Sequence, residues 1–224
     1  MRPVADYGMI LEYLRQGPPV SVPQWMCAML FAPPKTPIGK SIMDRLDDWH
    51  HRSGKNFTFF CIGYLEHDEF NDGEPVGRLT ELDGSGTRRF CFSARAFHDI
   101  RRTVEAQSGW KYSGEADLLL ANAIIDRPDG TPSLALEDVL ALDIDKLVRE
   151  GVYDSAARLM ERICRAADET MLKGQSVAIE DFSDKEFTRT LLKRTLGAVV
   201  RHLKLDAALS ARHFIVGAHH LEPA

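Results

Sequence analysis

The run Trp25-Met26-Cys27-Ala28-Met29-Leu30-Phe31-Ala32 contains no polar residue. Its length suits a strand, and the lack of polar alternation predicts a strand covered on both faces. Pro33 and Pro34 close it, because proline has no amide to continue a ladder. Thr36 followed by Pro37 then reads as a helix start, a hydroxyl N-cap with proline at the first helical position. Ile42, Leu46 and Trp49 fall on one helical face, so a single helix is expected from there to about Arg52, stopped at Ser53-Gly54. A second apolar run, Phe57 to Tyr64, follows. Strand, helix and strand in this order imply a parallel pair joined by a right-handed crossover.

Working outward, residues 5–15 read as a short helix with Met9, Ile10, Tyr13 and Leu14 inward. The stretch from Glu66 to Asp83 holds Glu66, Asp68, Glu69, Asp72, Glu74, Glu81 and Asp83 against one base, Arg78. With glycines and no periodicity it reads as a solvated loop. Phe90-Cys91-Phe92 suggests a short strand. Ser93 caps a helix with Phe97, Ile100 and Val104 on its inner face, ending at Ser108-Gly109. Glu115 to Asp126 and Ser133 to Leu142 flank Arg127-Pro128-Asp129-Gly130, which is turn chemistry, so they read as a β-hairpin. A helix over 133–142 competes, since Leu and Ala dominate there. Helices are expected over 144–150 and along the stripe Ala156, Leu159, Met160, Ile163, Ala167 and Met171. Ser183 to Glu186 forms a capping box for a last helix with Leu192, Leu196, Val199 and Leu203 on one face. The expected organisation is one domain over 1–224, with an α/β core at 25–151 and packed C-terminal helices at 152–206.

The balance of 28 Lys+Arg against 33 Asp+Glu gives a net charge of −5. That argues against nucleic acid as a partner, because phosphate neutralisation needs clustered cations. The four cysteines, Cys27, Cys61, Cys91 and Cys164, stand far apart, and three lie in apolar runs. They read as free thiols of a reducing compartment. No apolar stretch approaches the roughly 20 residues of a membrane span. A cytoplasmic protein is expected.

The order from 25 to 150, β-α-β-α-β-β-α, resembles the thioredoxin-like fold, here with an N-terminal helix and a C-terminal helical extension. That family places Cys-x-x-Cys at the start of its first core helix, whereas this chain reads Pro33-Pro34-Lys35-Thr36-Pro37-Ile38-Gly39-Lys40. The segment before the hairpin, Trp110-Lys111-Tyr112-Ser113-Gly114, also lacks the proline the family carries there. The resemblance therefore implies a binding module without dithiol chemistry. The block Gly109 to Glu115 is similar to one in a group of bacterial proteins with no assigned activity.

Two incomplete motifs carry candidate chemistry. Gly39-Lys40-Ser41 follows a buried strand and opens a helix, as in a phosphate-binding loop. The loop's first glycine is replaced by Pro34, which removes an amide and fixes φ. Asp126, after Ala123-Ile124-Ile125, is the candidate metal-side acid for that loop. Glu115 and Asp117, with Asp143 and Lys146 beyond the next strand, could hold Mg²⁺ for phosphodiester cleavage. Their bland alternative is a strand start and a helix N-terminus. His50 and His51 are adjacent and diverge on a helix; His98, His202, His219 and His220 form no ligand spacing. Asp68 to Gly73 departs from a calcium loop at Phe70. No catalytic residue, metal set or cofactor is assigned; Gly39, Lys40 and Ser41 are the only cofactor-binding candidates. A basic last helix (Lys185, Arg189, Lys193, Arg194, Arg201, Lys204) and the acidic loop at 66–83 suggest docking or self-association. The expected function is a non-enzymatic accessory or adaptor that binds a protein partner or a second copy, without a membrane. The alternative is a phosphate-ester enzyme, acting on nucleotides through Lys40 and Ser41 or as a nuclease through Glu115 and Asp117.

Overall fold

The computed structural model describes residues 2–16, 24–53, 58–66, 76–80, 86–125, 131–172 and 215–216. The opening apolar run is strand β2 (Gln24–Phe31), and Trp25 to Ala32 are all buried. Both of its edges are used. One pairs in parallel with β3 (Thr58–Ile62), with Cys27 opposite Thr58. The other pairs antiparallel with β7 (Asp117–Ile124) from Gln24↔Ile124 to Phe31↔Asp117. β8 (Ser133–Asp143) continues antiparallel beside β7. β1 (Arg2–Val4) lies parallel to β3, and β9 (Ile215–Val216) lies antiparallel to β8. The six-stranded order is β1-β3-β2-β7-β8-β9, a mixed sheet.

Strand parity then fixes the two layers, since successive side chains point to opposite faces. Phe31 meets Phe97 of α4 (Ala94–Ser108), with ring centroids 5.9 Å apart. Phe60, opposite Met29, shares that face and stacks at 6.3 Å on Tyr13 of α1 (Tyr7–Arg15). The Tyr7 hydroxyl reaches Gln107 at 3.4 Å, so α1 and α4 lie side by side. Cys61 points the other way, toward Met43 of α2 (Pro37–Met43) and Leu46 of α3 (Leu46–Ser53). α5 (Ile144–Arg149) leads into α6 (Ala156–Leu172), which packs on α2 and α3. Each fully buried Leu, Ile, Phe or Met contributes about 1.5–3 kcal/mol. α6 brings Leu159, Met160 and Ile163 to this side, all buried.

Several expectations hold. Thr36 caps α2 by accepting from the Gly39 amide, and Ser93 caps α4 by accepting from the Ala96 amide. Phe97, Ile100 and Val104 are the buried face of α4. Residues 133–142 are strand rather than helix: β-ladder pairing to β7 and burial outweigh the helical preference of Leu and Ala.

Four expectations are corrected. Residues 2–4, unanticipated, form an edge strand, and α1 begins at Tyr7 behind an Asp6 cap. The helix expected from 36 to 52 is two helices. Its ladder shortens where the Arg45 amide donates to Ile42 oxygen, three residues back, and Leu46 and Trp49 beyond the break are still buried in the core. The strand expected over 57–64 ends at Ile62. Gly63 has φ of +82° and sits where a side chain would come within 2.7 Å of Phe97 Cβ, so only glycine can turn the chain there. The loop expected over 66–83 is in part sheet: β4 (Tyr64–Glu66), β5 (Gly77–Thr80) and β6 (Thr87–Phe92) form a second sheet in the order β4-β6-β5, all antiparallel. Sequence periodicity missed the sheet, apart from Phe90-Cys91-Phe92, because its strands are short and β5 and the start of β6 are largely polar. The remainder of the acidic loop, the turn at 127–130, the capping box at 183–186 and the basic helix beyond it lie outside the described residues.

Candidate functional site

The end of β2, the turn after it and the start of β7 meet at one end of the main sheet, because Phe31 is paired with Asp117. Both incomplete motifs lie here. In the turn, the Thr36 amide donates to Pro33 oxygen at 3.1 Å, and the Thr36 hydroxyl donates to the same oxygen at 2.9 Å. That hydroxyl also accepts from the Gly39 amide at 3.0 Å. The Lys40 amide donates to Thr36 oxygen at 2.9 Å. Three of the amides a phosphate loop would aim outward, those of Thr36, Gly39 and Lys40, are thus spent within the turn. Gly39 is buried, and a methyl group there would collide with the Pro33 carbonyl. Its glycine serves close packing of turn on helix. Lys40 points to solvent and pairs with Asp44 at 3.1 Å; Ser41 is exposed. Asp126 lies outside the described residues.

The second motif separates in space. Asp117 is 2% exposed, while Glu115 lies on the surface. Asp143 is half-buried opposite Asp117 and caps α5 by accepting from the Lys146 amide at 2.8 Å. Among the described residues no three acids, histidines or cysteines converge as a metal-ligand group. Asp117 Oδ2 accepts from the Ser113 amide at 2.9 Å. Burial pushes its carboxyl up to about 6; Ser113 hydrogen bonding pulls it down, the Asp143 charge raises it and Trp110 lowers it. Around it stand aromatic rings. Phe31 and Trp110 are 4.7 Å apart, and Trp110 and Tyr112 are 6.1 Å apart. Arg101 lies 5.7 Å over the Tyr112 ring.

All four thiols are free and buried. Burial pushes Cys27 well up and Cys61 to about 12, which removes the thiolate that redox chemistry requires. His98 is exposed on α4; the side chains of His50 and His51 lie outside the described residues, as do His202, His219 and His220.

A feature sequence reasoning missed lies on the opposite layer. Between α3 and α6 is a cleft of about 100 Å³. Trp49, Ala157, Met160 and Cys164 supply its apolar surface; Arg45, Asp48 and Glu161 supply its charged surface. The spacing is visible in retrospect: 48 and 49 on α3, with 45 just before its start, and 157, 160, 161 and 164 on α6 each fall on one side. What the sequence lacked was that these two faces meet. The chain matches no family model, no curated protein and no solved structure in comparisons with known proteins.

Proposed function

We propose that this chain is a non-enzymatic, cytoplasmic adaptor that binds a protein through the cleft between α3 and α6. The cleft is the observation that carries the reading. At about 100 Å³ it is well below the ~300–1,000 Å³ of small-molecule sites, and it suits one side chain of a partner. A tryptophan and a methionine beneath a charged rim are the composition of an interface anchor point. What supports a thioredoxin-like reading is the order β1-β3-β2-β7-β8, with the first three strands parallel and the hairpin antiparallel; on that reading the β4-β6-β5 sheet is an insertion. On this reading the turn at 33–36 has exchanged reactive cysteines for a closed set of internal hydrogen bonds. Among the described residues no helix is long and apolar enough to cross a membrane.

The test is to isolate the full chain from its native cell under mild conditions and identify what accompanies it. A stoichiometric protein, or a second copy, whose association is lost on Ala157→Trp supports the adaptor. Bound nucleotide or metal, with no protein, overturns it in favour of a phosphate-ester enzyme acting through Lys40 and Ser41 or through Glu115 and Asp117.

A further inference from the structure

The two sides of the main sheet end differently. At the β1 edge the Gly63 amide donates to Val4 oxygen at 2.9 Å, so Val4 turns its backbone groups toward β3. Alternate residues of a strand bond to the same side, so Arg2 does likewise and Pro3 faces outward. Pro3 has no amide to offer there, and β1 is only 3 residues long. A short strand with an outward proline is a blunted edge.

β8, on the other side, is blunted over only part of its length. Its pairing with β7 jumps from Asn122↔Ala135 to Leu120↔Leu140, so residues 136–139 stand against Ala121 alone. That bulge carries exposed Glu137 and bends the strand, which discourages further pairing there. Residues 139–143, where the bulge closes, contain no proline and no lysine, and Val139, Leu140, Ala141 and Leu142 are buried. The inner side of this arm pairs with β7. Its outer side takes β9, with Val139 opposite Val216 and Leu140 opposite Ile215. Among the described residues no strand lies outside Ala141, Leu142 and Asp143. β9 makes the shortest ladder in the sheet, with 2 residues drawn from far beyond α6 in the chain. A strand more commonly has about 5–6. What Ile215-Val216 brings is what an added peptide brings, main-chain pairing to an open edge and two β-branched apolar side chains.

We infer that the outer edge of β8 over residues 139–143 is a strand-addition site for an extended apolar segment of a partner protein, and that Ile215–Val216 is its resident, exchangeable occupant. The pairing of β9 sets the terms of recognition: the partner strand runs antiparallel to β8 and places β-branched residues opposite Val139 and Leu140. A strand that pairs the whole arm gains ladder that β9 leaves unused, and this difference drives exchange. The site shares no residue with the α3–α6 cleft, so it is a second docking surface and does not rest on the first.

A fluorescein-labelled synthetic peptide of residues 210–220 is the probe, and the full chain is the receptor. In Ile215→Asp/Val216→Asp the resident strand is disabled and the edge is free. The peptide should bind this variant at least about tenfold more tightly than the wild type, the factor by which a site nine-tenths occupied in cis is withheld. Hydrogen exchange should show added protection within 139–143 when peptide is present. A peptide carrying the same two aspartates should bind neither protein, and Ala157→Trp should leave binding unchanged. No binding to the variant at millimolar peptide, equal affinity for variant and wild type, or protection gained only outside 139–143 would overturn the inference. A wild-type dimer that the two aspartates abolish would assign the edge to a second copy and overturn the partner. If the double variant fails to fold, the wild type in excess peptide decides: protection gained within 139–143 supports the site, and none overturns it.

Discussion

The Tyr64 hydroxyl donates to the Ala32 carbonyl at 2.7 Å, and both groups are buried. This bond ties the first strand of the small sheet to the end of β2, 32 residues earlier. The Thr36 amide, four residues on and the donor a helix would supply, is spent on Pro33 oxygen instead. Tyr64→Phe removes the donor and leaves a buried acceptor open. The expected loss is about 1–3 kcal/mol in urea unfolding. Tyr7→Phe, which deletes only the long exposed bond to Gln107, should change stability by less than about 0.5 kcal/mol.

The turn after β2 gives a second contrast. Gly39→Ala drives a methyl into the Pro33 carbonyl and should cost more than about 1 kcal/mol. Lys40→Ala removes an exposed pair with Asp44 and should stay within about 0.5 kcal/mol. Mg²⁺-ATP should leave the melting temperature of the wild type unmoved. A stabilisation by nucleotide that Lys40→Ala abolishes would restore the phosphate-loop reading.

The thiols provide a third. Cys27 and Cys61 are buried on adjacent core strands, with their ionisation pushed up by burial. Reagents that require thiolate should modify them only through unfolding, and four thiols should titrate once the chain is denatured. Labelling of native Cys61 at the rate of a free thiol would contradict its position in β3.

Much of this was legible in the residues, and the failures have physical causes. The apolar run at 25–32 and the first arm of the hairpin declare themselves because strands buried on both faces have little composition to spare, whereas the Leu- and Ala-rich second arm, 133–142, reads equally as helix until it pairs. The break at Asp44-Arg45 is silent, because two helices on one layer share the same apolar period as one bent helix. Phe90-Cys91-Phe92 is legible as a strand, but β5 and the first half of β6 are silent for a different reason: Gly77-Arg78-Leu79-Thr80 and Thr87-Arg88-Arg89 look like loop until they pair. At the site, Glu115 and Asp117 are two positions apart and suggest convergence. Their fates diverge because β7 begins at Asp117, which enters the sheet while Glu115 stays outside. The α3–α6 cleft needs a contact between residues more than a hundred positions apart, which no local pattern encodes.

That contact predicts a stability pattern. Ile163 and Met160 are buried against the α2–α3 layer. Ile163→Ala should cost about 2–5 kcal/mol in denaturant unfolding. Arg165→Ala, on the exposed side of the same helix with a long pair to Glu161, should cost less than about 0.5 kcal/mol. Equal, small effects would mean that α6 does not cover the core.

Site-specific photo-cross-linking tests the adaptor reading most directly. A photoreactive residue placed at Asp48, on the rim of the cleft, samples the proposed interface; one at Arg95, 94% exposed on α4, samples the opposite layer. In the native cell, the account predicts a discrete protein adduct, to a partner or to a second copy, from position 48 and none from position 95. It also predicts that Ala157→Trp, which fills the cleft, removes the adduct without lowering the melting temperature. No adduct at position 48, or the same adducts from both positions, would contradict it.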